Sequence, residues 1–318
     1  MAIKYRKYIV FIVAFLLRCG TGMVQAQTAY KTAVPDFNAH NAYQYIAQQV
    51  AFGPRVPNSE AQNACARYLE QLLQTFTDTV FRQETIISAK NRKKLRCINL
   101  VGSFNPGAQR RLLLLAHWDS RPWADRNKKK KPVPAANDGA SGVGVLLELA
   151  ALLRQNGIDS TLGIDILFTD LEDYGKAEWG AESYGLGAQY WAHQPHVNGY
   201  QAFGGILLDM VGGKNARFPL EAYSMKYAPQ LQSEVWEAAV TAGYASYFVP
   251  EKEGFITDDH VFINGIARIP CIDIIDLPDN SGTGFVDYWH TTDDDMRNID
   301  VATLKAVGQT LVQYIYSL

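Results

Sequence analysis

The sequence predicts an α/β protein of one domain, with a central, mostly parallel, twisted sheet and helices on both of its faces. Three observations point there. Four short apolar runs, at 111–120, 164–173, 204–213 and 270–279, are mostly continuous rather than alternating, as in strands buried on both faces. Stretches with helical periodicity separate them, and such alternation marks a parallel sheet. No linker, repeat or low-complexity tract divides the 318 residues, a length that can bury a substantial core.

In chain order, residues 1–26 come first, beginning basic, running apolar from Ile9 to Leu17 and ending in small residues. This is the form of a secretory signal cut near Ala26, leaving one domain over 27–318 that is exported, with the periplasm as the expected compartment. The apolar run is short for a membrane span and no other segment qualifies, so no transmembrane segment is expected after cleavage. Lipoprotein anchoring through Cys19 is the weaker alternative, because Arg18 beside it fits such sites poorly. Cleavage after Ala26 would expose Gln27.

A helix is expected over 59–75. RLLLLAHWDS (111–120) gives the first strand, and AANDGASG (135–142) leads into a helix over 142–155. Asp138 in that turn has two readings, a helix N-cap or a metal ligand. IDILFTDLED (164–173) is the second strand, followed by a helix over 183–193. GGILLDMVGG (204–213) is the third, followed by a helix over 229–242; PCIDIIDLPD (270–279) is the fourth, and a helix over 300–316 closes the chain. Ligands of open α/β sheets bind beyond the carboxyl ends of strands. His117, Asp119, Glu172, Asp173 and Asp209 all fall there, so they are expected to converge.

Thirty Lys and Arg against 32 Asp and Glu give a formal charge of −2, which supplies no electrostatic reason for a nucleic-acid partner. Basic clusters at 90–96 and 126–131 read as solvated loops. Beyond the leader stand Cys65, Cys97 and Cys271, an odd number in a compartment that permits disulfides, so at most one bridge can form, with its pairing open. None has zinc-thiolate spacing, so a metal must be held by His and carboxylates. DYWHTTDDDM (287–296) sets His290 among acids, and a neutral imidazole suits zinc. His290 with Asp138, Asp173, and either Asp209 or His117 forms the candidate metal centre.

HWDS, NDGASGVGVLLELA, LEDYG, ILLDMVG, TDDHVFI and WHTTDDD occur in an order and at intervals that resemble the zinc-dependent aminopeptidase family M28, and within it the glutaminyl cyclases of animal type, which also occur in bacteria. The resemblance covers the chain from AFGPRVPNS to the last helix. It implies an M28 aminopeptidase-like fold and one Zn2+ per chain, held by Asp138, Asp173 and His290. It also implies conversion of N-terminal Gln of peptides and proteins to pyroglutamate with release of ammonia, by a chain expected to be monomeric. The animal enzymes have Glu where this chain has Asp173, one methylene shorter, and Gln where it has Thr257. By the same resemblance Glu172 is the proton shuttle, Asp209 and Asp258 share an acidic cluster with it, and Trp179, Phe285 and Trp289 bind substrate. His117 and Asp209 match metal positions of the family's two-zinc peptidases. The alternatives are therefore such an aminopeptidase, in which Glu172 would activate water, or a catalytically silent ectodomain.

Overall fold

Continuous apolarity becomes a parallel sheet in the computed structural model, which describes residues 33–318 other than Lys129 and Asn280; the leader at 1–26, Cys19 and Gln27 lie outside the described residues. The chain begins with α1 (Ala39–Ala51) and α2 (Glu60–Phe76), the hairpin β1 (Thr79–Ser88) and β2 (Lys94–Phe104), then β3 (Arg110–His117), α3 (Ala140–Asn156) and β4 (Leu162–Thr169). It continues through α4 (Leu186–His193), β5 (Gly204–Asp209), β6 (Phe218–Leu220), α5 (Ala222–Tyr227) and α6 (Pro229–Thr241). It ends with β7 (Phe248–Lys252), α7 (Asp259–Phe262), β8 (Cys271–Ile275) and α8 (Val301–Ile315).

The main sheet runs β1-β2-β4-β3-β5-β8. The four expected strands β4, β3, β5 and β8 are its parallel heart, and β2 joins β4 antiparallel. Each of the four is shorter at its carboxyl end than the apolar run suggests, because the chain turns away at His117, Thr169, Asp209 and Ile275 to present polar groups above the sheet. Alternate side chains of β3 serve the two faces. Leu112, Leu114 and Ala116 pack with α1, α2, α3 and α8, whereas Leu113 and Leu115 pack with Trp191 of α4 and with Ile263.

The five expected helices are present, shifted by three residues at most. Ser59 caps α2 by accepting from Gln62 N, Asp300 caps α8 by accepting from Ala302 N, and Pro229 opens α6 where its missing N–H costs nothing. The helices α1, α5 and α7, the hairpin β1–β2 and the parallel pair β6–β7 are additions to the expected elements. The basic cluster at 90–96 is only partly a loop: Lys94, Leu95 and Arg96 lie on β2, and Arg96 pairs with Glu84 across the hairpin at 2.5 Å. Cys65, Cys97 and Cys271 are all buried and free, so no bridge forms among them; burial pushes the Cys65 thiol up to about 12. Among the described residues no helix is long and apolar enough to cross a membrane.

Buried almost all round, α3 sets the position of everything above the sheet. Gly142 lets it approach β5 closely, since a Cβ there would lie 2.3 Å from the Leu208 carbonyl oxygen. Gly142→Ala is expected to cost about 3 kcal/mol in urea unfolding, because the neighbour is backbone and cannot turn aside. A change below about 0.5 kcal/mol would show that the helix can lift freely.

The same helix buries Glu148, whose Oε2 has no partner and whose carboxyl is raised above 4.5 by burial. The unfolded chain ionises this group first, so stability falls as pH rises from the unfolded value through the folded one. Glu148→Gln is therefore expected to raise Tm clearly at about pH 8 and little at about pH 4. An equal shift at both pH values would contradict this assignment.

Candidate active site

The turn AANDGASG closes β3's long loop and delivers Asp138 to the sheet edge without using it as a cap. Gly139 takes the N-cap position of α3 with φ 108° and no side-chain capping bond. A Cβ on Gly139 would stand 2.8 Å from Asp119 O and 3.0 Å from His117 Cε1. Asp294 holds the turn from behind, accepting from Asn137 N at 2.8 Å and Asp138 N at 3.0 Å. Asn137 in turn accepts from Gly212 N at 2.8 Å, tying the turn to the exit of β5. The capping reading of Asp138 is thus replaced by one in which its carboxylate is free to face the site. Ala135, Leu171, Met210 and His290 all have positive φ, between 48° and 60°, so left-handed backbone gathers where the loops converge.

Donor atoms of Asp138, Asp173 and His290 lie within 4.8 Å of one another, and all three residues are buried. His290 Nε2 is 3.4 Å from Asp173 Oδ1 and 3.9 Å from Asp138 Oδ2, so the short arm of Asp173 still reaches the cluster. Behind them, His290 Nδ1 is 3.3 Å from Asp125 Oδ1. Arg121 bridges Asp125 at 2.6 Å and Asp173 at 2.7 Å. Asp119 accepts from the backbone N–H of Glu172 at 3.0 Å and of Asp173 at 3.3 Å, fixing the end of the β4 loop. Burial raises the Asp173 carboxyl, but Arg121 and His290 together hold it below its ordinary value. Asp173 Oδ2 is buried with no partner. This donor set of two carboxylates and one imidazole, with one oxygen unused and the far imidazole nitrogen oriented by Asp125, fits a zinc ion.

His117 stands on the other side of Asp138. Its Nε2 is 3.1 Å from Asp138 Oδ1 and 3.3 Å from Asp209 Oδ1, and its Nδ1 is 3.3 Å from Asp119. His117, Asp138 and Asp209 thus form a second compact group of possible metal donors that shares Asp138 with the first.

One cavity of about 400 Å3 faces the first group, lined by Asp138, Glu172, Asp173, Asp209, Asp258 and His290 with an apolar wall that includes Phe285 and Trp289. His117 is not in its wall. The carboxyls of Glu172, Asp209 and Asp258 are all raised: Glu172 by burial and then Asp258, Asp209 by burial and then Asp138, and Asp258 to about 8 by burial and then Asp209. Phe285 stacks on Trp289 at 4.3 Å between ring centroids, and Trp289 stacks on His290 at 3.7 Å. Tyr184, Met210, Phe255, Ile256, Thr257 and Ile275 also line the cavity.

Trp179 does not line this cavity. Its ring packs against Trp123 and Tyr174, while its neighbours Ala177 and Ala181 reach the wall. Sequence reasoning missed Arg121, Asp125, Asn137 and Asp294. DSRPWAD just beyond the first strand and the acidic run at 293–295 were the available signals.

The sequence pattern of Peptidase family M28 matches residues 99–315. The chain is similar to a structure described as Bacteroides thetaiotaomicron glutaminyl cyclase bound to N-acetylhistamine, with 47% identity and a TM-score of 0.87 over 89% of this chain and 99% of that one. It is similar to a Zn-dependent exopeptidase from Parabacteroides distasonis, at 49% identity and a TM-score of 0.87 over 90% and 100%. Glutaminyl-peptide cyclotransferase of Drosophila melanogaster is 26% identical over 79% of this chain and 73% of its own length.

Proposed function

The chain belongs to peptidase family M28, and from that premise we propose that it is a glutaminyl-peptide cyclotransferase, closing the N-terminal Gln of peptides and proteins to pyroglutamate with one zinc per chain. The observation that carries the single-metal reading is the division of the donors. Asp138, Asp173 and His290 face the cavity with Glu172, whereas His117 does not face it. In this reading Asp138, Asp173 and His290 hold the metal. When bound, zinc supplies Lewis-acid polarisation of the glutamine γ-carbonyl.

The protein's own groups supply the rest. The α-amine nitrogen bonds to the side-chain amide carbon, Cδ, that carbon releases its amide nitrogen, and a proton must pass from the first nitrogen to the second. Glu172 is the proton carrier. A carboxyl raised toward neutrality can accept the amine proton and return it to the departing ammonia. Asp258 and Asp209 keep it raised, and such a cluster shares its protons rather than titrating residue by residue. The stacked rings of Phe285 and Trp289 hold the glutamine side chain folded over its own amine, where effective molarity can reach about 10⁵ M or more. Their apolar surface also keeps water from that amide carbon. Trp179 packs on Trp123 and Tyr174 and lies outside this wall.

The chain is further read as exported and periplasmic, a reading supported by the form of residues 1–26, and as a monomer. A two-zinc aminopeptidase is the second reading, and its observation is the second donor group, His117, Asp138 and Asp209. Parallel assays separate the two. Ammonia release from Gln-Ala-Phe without hydrolysis of a leucine anilide supports the cyclotransferase; the reverse pattern supports the peptidase, and neither activity supports the silent ectodomain.

A further inference from the structure

On the cyclisation reading, the residues after the glutamine must leave the first cavity along one of its sides. A second cavity of about 610 Å3 adjoins it and shares Ala177, Tyr184, Trp289 and His290 with it. Arg121, Asp125, Arg126, Lys176 and Glu178 supply its charge. Those charges do not cancel evenly. Asp125 is engaged by Arg121 and His290, and Arg121 by Asp125 and Asp173. Glu178, its side chain 69% exposed, lies 3.8 Å from Lys176, a pairing that solvent weakens.

Arg126 is not buried and makes no ion pair among the described residues, yet it is fixed to the site at both ends. Its N–H donates to the His290 carbonyl at 3.2 Å, and its guanidinium lies 5.2 Å from the centre of the Trp289 ring. Lys176 Nζ lies 4.7 Å from the Trp123 ring and 5.1 Å from the Trp179 ring. Two cations are therefore held on aromatic faces beside the shared rim. The part of the first cavity that the second does not share, which includes Phe255, Ile256 and Ile275, offers none.

We propose that the second cavity receives the residues following the N-terminal glutamine, and that Arg126 and Lys176 favour peptides with a carboxylate at the next position. The test compares kcat/KM for Gln-Glu-Ala-Phe, Gln-Ala-Ala-Phe and Gln-Lys-Ala-Phe at low and high salt, in the zinc-loaded wild type and in Arg126→Glu and Lys176→Glu, each checked by thermal melting. The Glu peptide is expected to exceed the Lys peptide about fivefold at low salt, mainly through KM, with the gap narrowing at high salt and inverting in Arg126→Glu. Equal kcat/KM for all three peptides, or a preference unchanged in both variants, would overturn the subsite while leaving the cyclisation reading standing. Release of ammonia from none of them would overturn both.

Discussion

Glu172→Gln is expected to lower kcat about a thousandfold while KM, zinc content and the fold are retained. The amide keeps the shape of the side chain and loses its ability to take a proton from the amine. Because Glu172 is buried and its ionisation is opposed by burial and by Asp258, replacing it does not remove a stabilising charge. Tm should therefore hold steady or rise. Stopped assays over several hours would measure the residual rate, and metal analysis of the same sample would check the site. A variant that keeps full activity would remove Glu172 from the reaction. One that loses zinc along with activity would make Glu172 a ligand or a support for one instead of a proton carrier.

The second large effect is expected at His290. His290→Ala removes the only nitrogen donor of the first group and one of the rings stacked on Trp289, so zinc and activity should both be lost on dialysis. Asp125→Asn probes the same site from behind. It leaves all three donors in place but weakens the partner that orients His290 Nδ1, and a change of this kind costs about 10- to 100-fold in metal affinity. Titration with a competing chelator reads both variants on one scale. If Asp125→Asn binds zinc as tightly as the wild type, the imidazole is oriented by the Trp289 stack alone and Asp125 serves Arg121 instead.

How far each part could be read from the chain depended on whether its signal was local. Strands β3, β4, β5 and β8 were legible because burial on both faces leaves an unbroken apolar run. The hairpin strand β1 was not, because TVFRQETIIS is half-exposed along its length at the edge of the sheet and mixes charge with apolar residues. Helix α1 was not legible because the face it buries, Ala39, Ala42, Ile46 and Gln49, holds two small residues, one polar residue and a single large apolar one. Glu172, Asp173 and Asp209 could be found because strand ends in a parallel sheet converge by topology, whereas Asp138 was read from its turn sequence before α3. His290 needed its local sequence and the family resemblance, since a loop alone carries it.

Asp125, Arg121 and Asp294 were not legible for a different reason. Their work is done across loops, Asp125 to His290 and Asp294 to the Asn137 turn, and no sequence period encodes a contact of that kind. The Trp179 expectation reached the right neighbourhood, but the ring turned onto Trp123 and Tyr174 instead of the cavity. Side-chain direction in a loop is set by what packs around it, and that is known only once the loop is folded.

On the proposed chemistry this site closes glutamine onto itself and does not cleave the bond after it. Mass spectrometry of Gln-Ala-Phe incubated with the zinc-loaded protein, with and without a chelator, tests it most directly. Loss of one ammonia from an otherwise intact peptide is expected, abolished by the chelator and restored by added zinc. Release of free glutamine and Ala-Phe would contradict it and assign the site to hydrolysis.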